Sequence, residues 1–359
     1  MPEPALILTA GRLATSDAKT AHGLVRGPCR YDVVGVVDGA HAGRDAGQVL
    51  DGIGRGIPVF QDLEAALAGA RPAPRWCVIG VATPGGVLPQ ELRAEVLRAL
   101  GRGLSIVNGL HELLADDPEI AALAARSGAT LVDIRKPKPR RELHFWSGEI
   151  AQVRAPRVAV LGTDCALGKR TTCQVLAAAL RERGVAAEMV YTGQTGWLQG
   201  SRFGFVLDST PNDFVSGELE QAVVRCDREA RPDLILLEGQ SALRNPSGPC
   251  GAELLLSARA AGVVLQHAPG RQFFDDQEHL GQRIPSLASE IALIALYGVP
   301  VLAVALNHDR LTERERVQWR ERIERECGVP AFYPLLDPPG RIATLLAEFA
   351  AGARAAVPS

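Results

Sequence analysis

Short runs dominated by Val, Ile and Leu alternate along the chain with longer segments in which Ala, Leu, Arg and Glu recur. The first pattern predicts strands and the second helices, and their alternation is the mark of a parallel sheet covered by helices. In the first part strands are expected at 5–9, 33–38, 58–60, 76–82, 105–109 and 130–134. Between them DLEAALAGA, LPQELRAEVLRALGRG and DPEIAALAARSG predict helices, the last two ending at a glycine where a left-handed cap is expected. The segment RKPKPRRELHFWSGEI, residues 135–150, breaks the rhythm with two prolines and a basic cluster, and reads as a solvated linker. A second series follows, with strands at 157–162, 186–193, 233–239, 262–268 and 299–307. These strands are continuous apolar runs, as expected when helices cover both faces of a sheet.

Composition narrows the class. At 359 residues the chain is long enough for about two domains. Hydrophobic residues make up 47% and charged residues 22%, ordinary for a globular protein, and no apolar run approaches the roughly 18 residues of a membrane span. The N-terminus MPEPALILTAG has neither a basic n-region nor a long enough apolar stretch for a signal peptide, so a cytoplasmic location and no membrane partner are expected. Seven cysteines, odd in number and scattered, fit neither a disulfide framework nor a zinc pattern; they read as reduced, mostly buried small hydrophobes. A net charge of -2 lacks the basic footprint that nucleic acid demands, which leaves a small molecule as the expected partner.

The chemistry concentrates at residues 158–172, VAVLGTDCALGKRTT. An apolar strand runs into a glycine-punctuated loop ending in Gly168-Lys169 and opening a helix, the arrangement in which main-chain N–H groups, a helix N-terminus and a lysine meet phosphate. The match to G-x-x-x-x-G-K-[ST] is inexact: Gly162 lies six positions before Gly168, and Arg170 stands where the Mg²⁺-binding hydroxyl belongs. Thr171 and Thr172 follow at once. Gly162, Thr163, Asp164, Cys165, Gly168, Lys169, Arg170, Thr171 and Thr172 are therefore the candidate phosphate-binding residues.

Ligands of open α/β sheets lie outside the carboxyl ends of strands, and the neighbouring ends are polar. They carry Thr192-Gly193-Gln194-Thr195-Gly196, Glu238-Gly239-Gln240-Ser241, His267 and Asn307-His308-Asp309. Glu238 suits a carboxylate holding Mg²⁺ together with Thr171, or a turn carboxylate. Gln194, Thr195 and Gln240 offer donors for a carboxylate or phosphate. The loop DSTPNDF brings Asn212 and Asp213 together, suited to recognising an amine or to capping a helix. His267 is a candidate acid or base. Cys165 is better explained by its small size in a crowded loop than as a nucleophile. In the first part Asp38 ends a strand where a dinucleotide fold would contact ribose, yet the turn AGRLATSDAKTAHGL lacks G-x-G-x-x-G, which argues against a nicotinamide cofactor. Lys19, Thr20, Asp38 and the loop 83–86 remain candidates for lining a pocket, and Asn108, Gly109 and His111 for a further cluster or a cap.

Taken in order, GVATPGG, NGLHELL, GTDCALGKRTT, TGQTG, PNDFVSGE and LLEGQS resemble a two-domain P-loop family of formerly unknown function that includes a D-glutamate N-acetyltransferase. The resemblance covers nearly the whole chain. The shorter GTD-x-x-x-GK also resembles dethiobiotin synthetase, an ATP-dependent ligase. The fold implied is α/β: a Rossmann-like N-terminal domain at 1–140, a junction at 141–150, and a P-loop NTPase-like parallel α/β domain at 151–355. The activity implied is N-acetylation of a small, D-glutamate-like amino acid with acetyl-CoA, whose phosphates the loop and Asn307 would hold. Lys169, Asp213 and His267 are then the candidate catalytic residues, with Gln194, Thr195, Asn212 and Gln240 against the amino acid. Departures at LRNP, QHAPGRQFFDD and ALNHDRL suggest a different subgroup with its own substrate pocket. Two other readings stay open: a kinase or ligase using ATP and Mg²⁺, and a regulatory nucleotide-binding module without turnover. A homo-oligomer is expected.

Overall fold

The computed structural model describes residues 2–355. It divides into two compact units, Met1–Lys138 with Gln194–Gly200, and Pro139–Gly193 with Ser201–Ser359. In the first unit β1 (Pro4–Leu8), β2 (Asp32–Val37), β3 (Val59–Phe60), β4 (Trp76–Ile79), β5 (Ser105–Asn108) and β6 (Leu131–Asp133) form one sheet in the order β3-β2-β1-β4-β5-β6, every pair parallel. The strand order reverses between β1 and β4, the doubly wound arrangement.

Side-chain alternation along β1 splits the core. Leu6 and Leu8 pack with Leu92, Val96 and Ile106 on one face, while Ala5 and Ile7 pack with Leu13, Leu24 and Val25 on the other. The second face also takes Leu198, fully buried, from the segment Gln194–Gly200. Two of its helices start where a carboxylate caps them: Asp62 accepts from Ala65 N at 2.8 Å before Leu63–Gly69, and Asp117 from Glu119 N and Ile120 N at 2.9 and 3.1 Å before Pro118–Ser127. Gly128 closes the latter in the left-handed conformation expected of it. The helix Gln90–Gly101 ends differently, with Arg102 at its cap and the left-handed turn at Gly103.

The second unit builds a seven-stranded sheet from β7 (Arg157–Gly162), β8 (Ala187–Tyr191), β9 (Phe203–Gly204), β10 (Leu234–Glu238), β11 (Gly262–His267), β12 (Val301–Leu306) and β13 (Ala331–Phe332), in the order β13-β12-β11-β7-β10-β8-β9. The edge strands β9 and β13 are two residues each and fall outside the strands expected from the sequence. Central β7 lies between β10 and β11, with Gly162 level with Gln266 and Val160 level with Glu238. That register sets which side chains flank the loop leaving β7.

Part of the basic segment is not a linker. Lys136, Lys138, Arg140 and Arg141 are exposed, but from His144 on the chain is strapped to the helix Asn212–Ala230. Buried Glu218 accepts from His144 N and pairs with His144 Nδ1, while Glu220, fully buried, accepts from Ser147 N, Ser147 Oγ and Ile150 N. Two carboxylates thus satisfy main-chain donors that a solvated linker would leave to water.

Candidate functional site

The loop after β7 leads into the helix Lys169–Arg181, so the lysine is that helix's first residue. Gly168 adopts φ +99°, open to glycine and strained for other residues. Gly162 is required for a different reason: a Cβ there would sit 3.0 Å from both Cδ and Nζ of Lys169, which folds back over it. The lysine is buried, and its Nζ donates to the carbonyls of Asp164 at 2.7 Å and Ser241 at 2.8 Å. Burial lowers its pKa, against the pull of Cys165, Asp164, Cys250 and Glu238. A buried ammonium whose hydrogen bonds, among the described residues, go to neutral carbonyls is well matched to an anion that would complete its solvation.

Asp164 holds the loop from inside. Fully buried, it accepts from Cys165 N at 2.6 Å through Oδ1, and from Arg271 Nη1 and Asp275 N, both at 3.0 Å, through Oδ2. The same Arg271 nitrogen donates to the Cys165 carbonyl at 3.0 Å. One guanidinium therefore fixes successive loop residues. Cys165 is partly exposed, its Sγ donating to Ser241 Oγ at 3.4 Å and accepting from Asn245 Nδ2 at 3.5 Å.

The flanking strand ends supply the rest. Glu238, at the end of β10, is buried and accepts from Thr192 N at 3.0 Å. Burial raises its pKa, opposed first by Arg170 and then by main-chain N–H groups at Thr192 and Gly193. Arg170 thus puts its charge beside Glu238, where the usual loop would put a hydroxyl. Thr192 Oγ1 donates to the Glu238 carbonyl at 2.8 Å and accepts from Gln240 Nε2 at 3.0 Å. On the β11 side Thr172 Oγ1 donates to Gln266 Oε1 at 2.6 Å. The ring of His267 lies with Nδ1 3.0 Å from Thr163 Oγ1, and burial pushes its pKa down to about 4. It is neutral near pH 7. Asn307, just past β12, donates from Nδ2 to the Leu167 carbonyl at 3.2 Å.

Thus Gly162, Thr163, Asp164, Cys165, Gly168, Lys169, Arg170, Thr172, Glu238, Gln240, His267 and Asn307 converge around one loop. Thr171 lies in the first turn of the helix that Lys169 opens. Asn212 and Asp213 stand exposed in the first turn of their own helix, whose cap, Pro211, makes no side-chain bond. Gln194 and Thr195 group with the first unit, where Gln194 Oε1 accepts from Arg135 Nη2 at 2.9 Å. Sequence reasoning missed Arg271, Asp275, Gln266 and Asn245. Of these only Arg271 carried a signal, a cation four residues past the strand-end histidine in the unusual stretch QHAPGRQFFDD.

In the first unit Asp38 is buried and turned to the protein's own donors rather than to a ribose. It accepts from Thr9 Oγ1 at 2.6 Å and Leu13 N at 2.9 Å and pairs with His41 Nδ1 at 2.8 Å. Burial raises its pKa, but these bonds outweigh burial and hold it below the usual carboxylate range. Asn108 likewise anchors a turn, accepting from Leu110 N and donating to the Glu112 carbonyl and to Asp133.

Two family models match: a P-loop domain of unknown function, DUF1611_C, over residues 144–343, and a Rossmann-like domain of unknown function, DUF1611_N, over 39–137. The chain is 30% identical over 289 residues to a D-glutamate N-acetyltransferase of Tritonibacter scottomollicae, covering 79% of this chain and 83% of that protein. It is also 30% identical over 282 residues to a D-glutamate N-acetyltransferase of a Pseudoalteromonas species, covering 76% and 80%. A crystal structure of a DUF1611 family protein from Anabaena variabilis superposes with a TM-score of 0.85 at 32% identity, covering 97% of this chain and 99% of that one.

Proposed function

Because the chain belongs to the DUF1611 family, we propose that it is an N-acetyltransferase that moves the acetyl group of acetyl-CoA to the amine of a small, D-glutamate-like amino acid. The observation that carries the reading is the kinship to two proteins so named, each aligned over about three quarters of this chain, joined to a loop in which Arg170 takes the place of the metal-binding hydroxyl.

The residues present fit a phosphate-bearing coenzyme. Lys169 is a buried ammonium hydrogen-bonded to two carbonyls, at the start of a helix whose N–H groups favour anions. Asp164 and Arg271 hold the loop in shape, so that its N–H groups need no reorganisation on binding. Acetyl-CoA supplies the thioester carbon that the amine attacks. His267, neutral and oriented through Thr163, is suited to take the proton that leaves the amine. Its low pKa makes it a weak base, so it serves only after the amine has begun to bond and become acidic. Asp213 and Asn212 are exposed and suited to meeting an ammonium group, and Gln240 to a polar substrate group.

The test is the shift in thermal midpoint with acetyl-CoA and, separately, with Mg·ATP, followed by a free-thiol assay with D- and L-amino acids. At about 100 times its dissociation constant a ligand adds about 2.7 kcal/mol to the folded state. A shift with acetyl-CoA and thiol release on adding D-glutamate supports the reading. A shift with Mg·ATP alone overturns it in favour of a kinase or ligase, with Glu238 and Thr171 at the metal.

A further inference from the structure

The helix Leu287–Leu296 carries the chain from β11 to β12, and its surface is wrong for a helix that faces water. Between Arg283 and His308 the sequence holds a single charged residue, Glu290. Leu287, Glu290 and Ile294 are buried on the inward side. Glu290 also fixes the roll of the helix: its Oε2 accepts from Arg244 Nε at 2.6 Å, while Arg244 Nη2 donates to Ser289 Oγ at 2.7 Å. The helix is thereby kept from turning to bury its other side.

That other side is apolar. Ala288, Ala292, Ala295 and Leu296 are exposed, Leu296 at 85%, with Ile291 and Leu293 half-buried at their flanks. A helix at the surface normally carries charge there, and a helix apolar all round is normally covered. The next crossover shows that this chain keeps the rule elsewhere. The helix Glu313–Cys327 packs into the same core through Ile323, yet it exposes Arg314, Glu321, Arg322, Arg325 and Glu326.

The pattern also selects what covers the face. A charged partner would lose hydration against it and find no counter-charge, and the centres of protein interfaces are depleted of charge for that reason. Helices that lie on lipid carry a basic polar face, which is missing here. A second copy of the same face brings no charge to bury. It also fits in shape. When two such helices cross antiparallel about a two-fold axis at Ala292, residues equally spaced on either side of Ala292 meet. Leu296 of each copy then falls on Ala288 of the other, large against small, and the alanines let the helix axes approach to about 8 Å. A stable interface buries about 800 Å² per partner, more than a helix face about 15 Å long supplies. The helix pair is therefore the charge-free centre, and the charged helix Glu313–Cys327 falls to the polar rim.

We propose that the outward face of Leu287–Leu296 pairs with the same face of a second copy of this chain, across a two-fold axis at Ala292. The pairing does not depend on the acetyl transfer proposed for the phosphate loop.

The experiment is sedimentation velocity of the full-length protein at concentrations up to about 200 µM. Wild type should form a dimer. Leu296→Arg, a change at a position exposed within one copy, should keep the circular dichroism spectrum and raise the dimer dissociation constant about a hundredfold or more, because two like charges then meet the apolar centre. Ala292→Cys, at the axis, should give more covalent dimer than wild type on mild oxidation, since the two thiols face each other. A monomer at every concentration would overturn the proposal and leave the face to a different partner. A dimer that survives Leu296→Arg, or Ala292→Cys with no more covalent dimer than wild type, would overturn it as well. Absence of acetyl transfer with the dimer intact bears on the proposed activity and not on this surface.

Discussion

Asp38 in the first unit and Asp164 in the second are near-equivalents that end in different roles. Each is a buried carboxylate just past a parallel strand with three partners: Asp38 takes the Thr9 hydroxyl, Leu13 N and His41, and Asp164 takes Cys165 N, Asp275 N and Arg271. Around Asp38 the bonds tie the end of β2 to Thr9, Leu13 and His41. Around Asp164 they shape a loop whose next helix begins with Lys169. A strand-end carboxylate is therefore not a ligand signal by itself. What distinguishes the two is whether the structure it holds presents donors to something else.

The comparison breaks most sharply at the lysine. Lys169→Ala should lower turnover at least a thousandfold, about 4 kcal/mol of lost stabilisation, while leaving the thermal midpoint within a few degrees. Steady-state rates beside a melting curve test this, and near-normal turnover would remove the loop from the chemistry.

Next come the carboxylates themselves. Asp38→Ala and Asp164→Ala should each cost about 3 kcal/mol in denaturant unfolding, because each strands a buried partner and a main-chain donor. They should part in binding: only Asp164→Ala should also weaken acetyl-CoA. Equal loss of affinity in both would mean that the contrast drawn between them is false.

That contrast also shows what the sequence could reveal. The alternation of apolar runs with helical segments was enough for all six strands of the first sheet and five of the second, most of which fill a buried two-faced layer while the edges β3 and β6 are only partly buried. The two-residue edges β9 and β13 were not legible, whereas β3, equally short, stood out as the apolar PVF between Gly56 and Asp62. The burial of Leu198 from segment 194–200 in the first unit was equally hidden, because a short glycine-flanked stretch does not announce which core it joins. At the site, Gly168-Lys169 and the strand-end Glu238 stood out by spacing. Arg271 stood in the unusual stretch QHAPGRQFFDD, but its partners Asp164 and Cys165 were not legible, because those bonds span more than a hundred residues of chain.

His267 gives a smaller effect that reads burial directly. Its folded pKa of about 4 lies below the ordinary value of 6.5, so between those values the unfolded chain binds a proton that the folded chain does not. Stability is fully present above about pH 6.5 and falls as pH drops toward 4. Between pH 7 and pH 5 the loss should be about 2 kcal/mol. His267→Gln should flatten that part of the stability profile, and an unchanged slope would show that the ring is protonated in the folded state.

The smallest effect is expected at Arg271, and it separates shaping a loop from merely stabilising it. A lysine at 271 keeps a charge for Asp164 but has a single nitrogen, which cannot replace both Nη1, bonded to Asp164 Oδ2 and the Cys165 carbonyl, and Nη2, 3.5 Å from the Ala166 carbonyl. The ion pair should survive while the loop relaxes, so Arg271→Lys should keep most of the stability and lose about tenfold in acetyl-CoA affinity, about 1.4 kcal/mol. The loss should appear as a higher KM with kcat little changed, because the guanidinium acts on loop shape and not on the reacting atoms. A fall in stability with KM intact would instead make Arg271 the counterpart of His41, a partner that closes a turn and does nothing for a ligand.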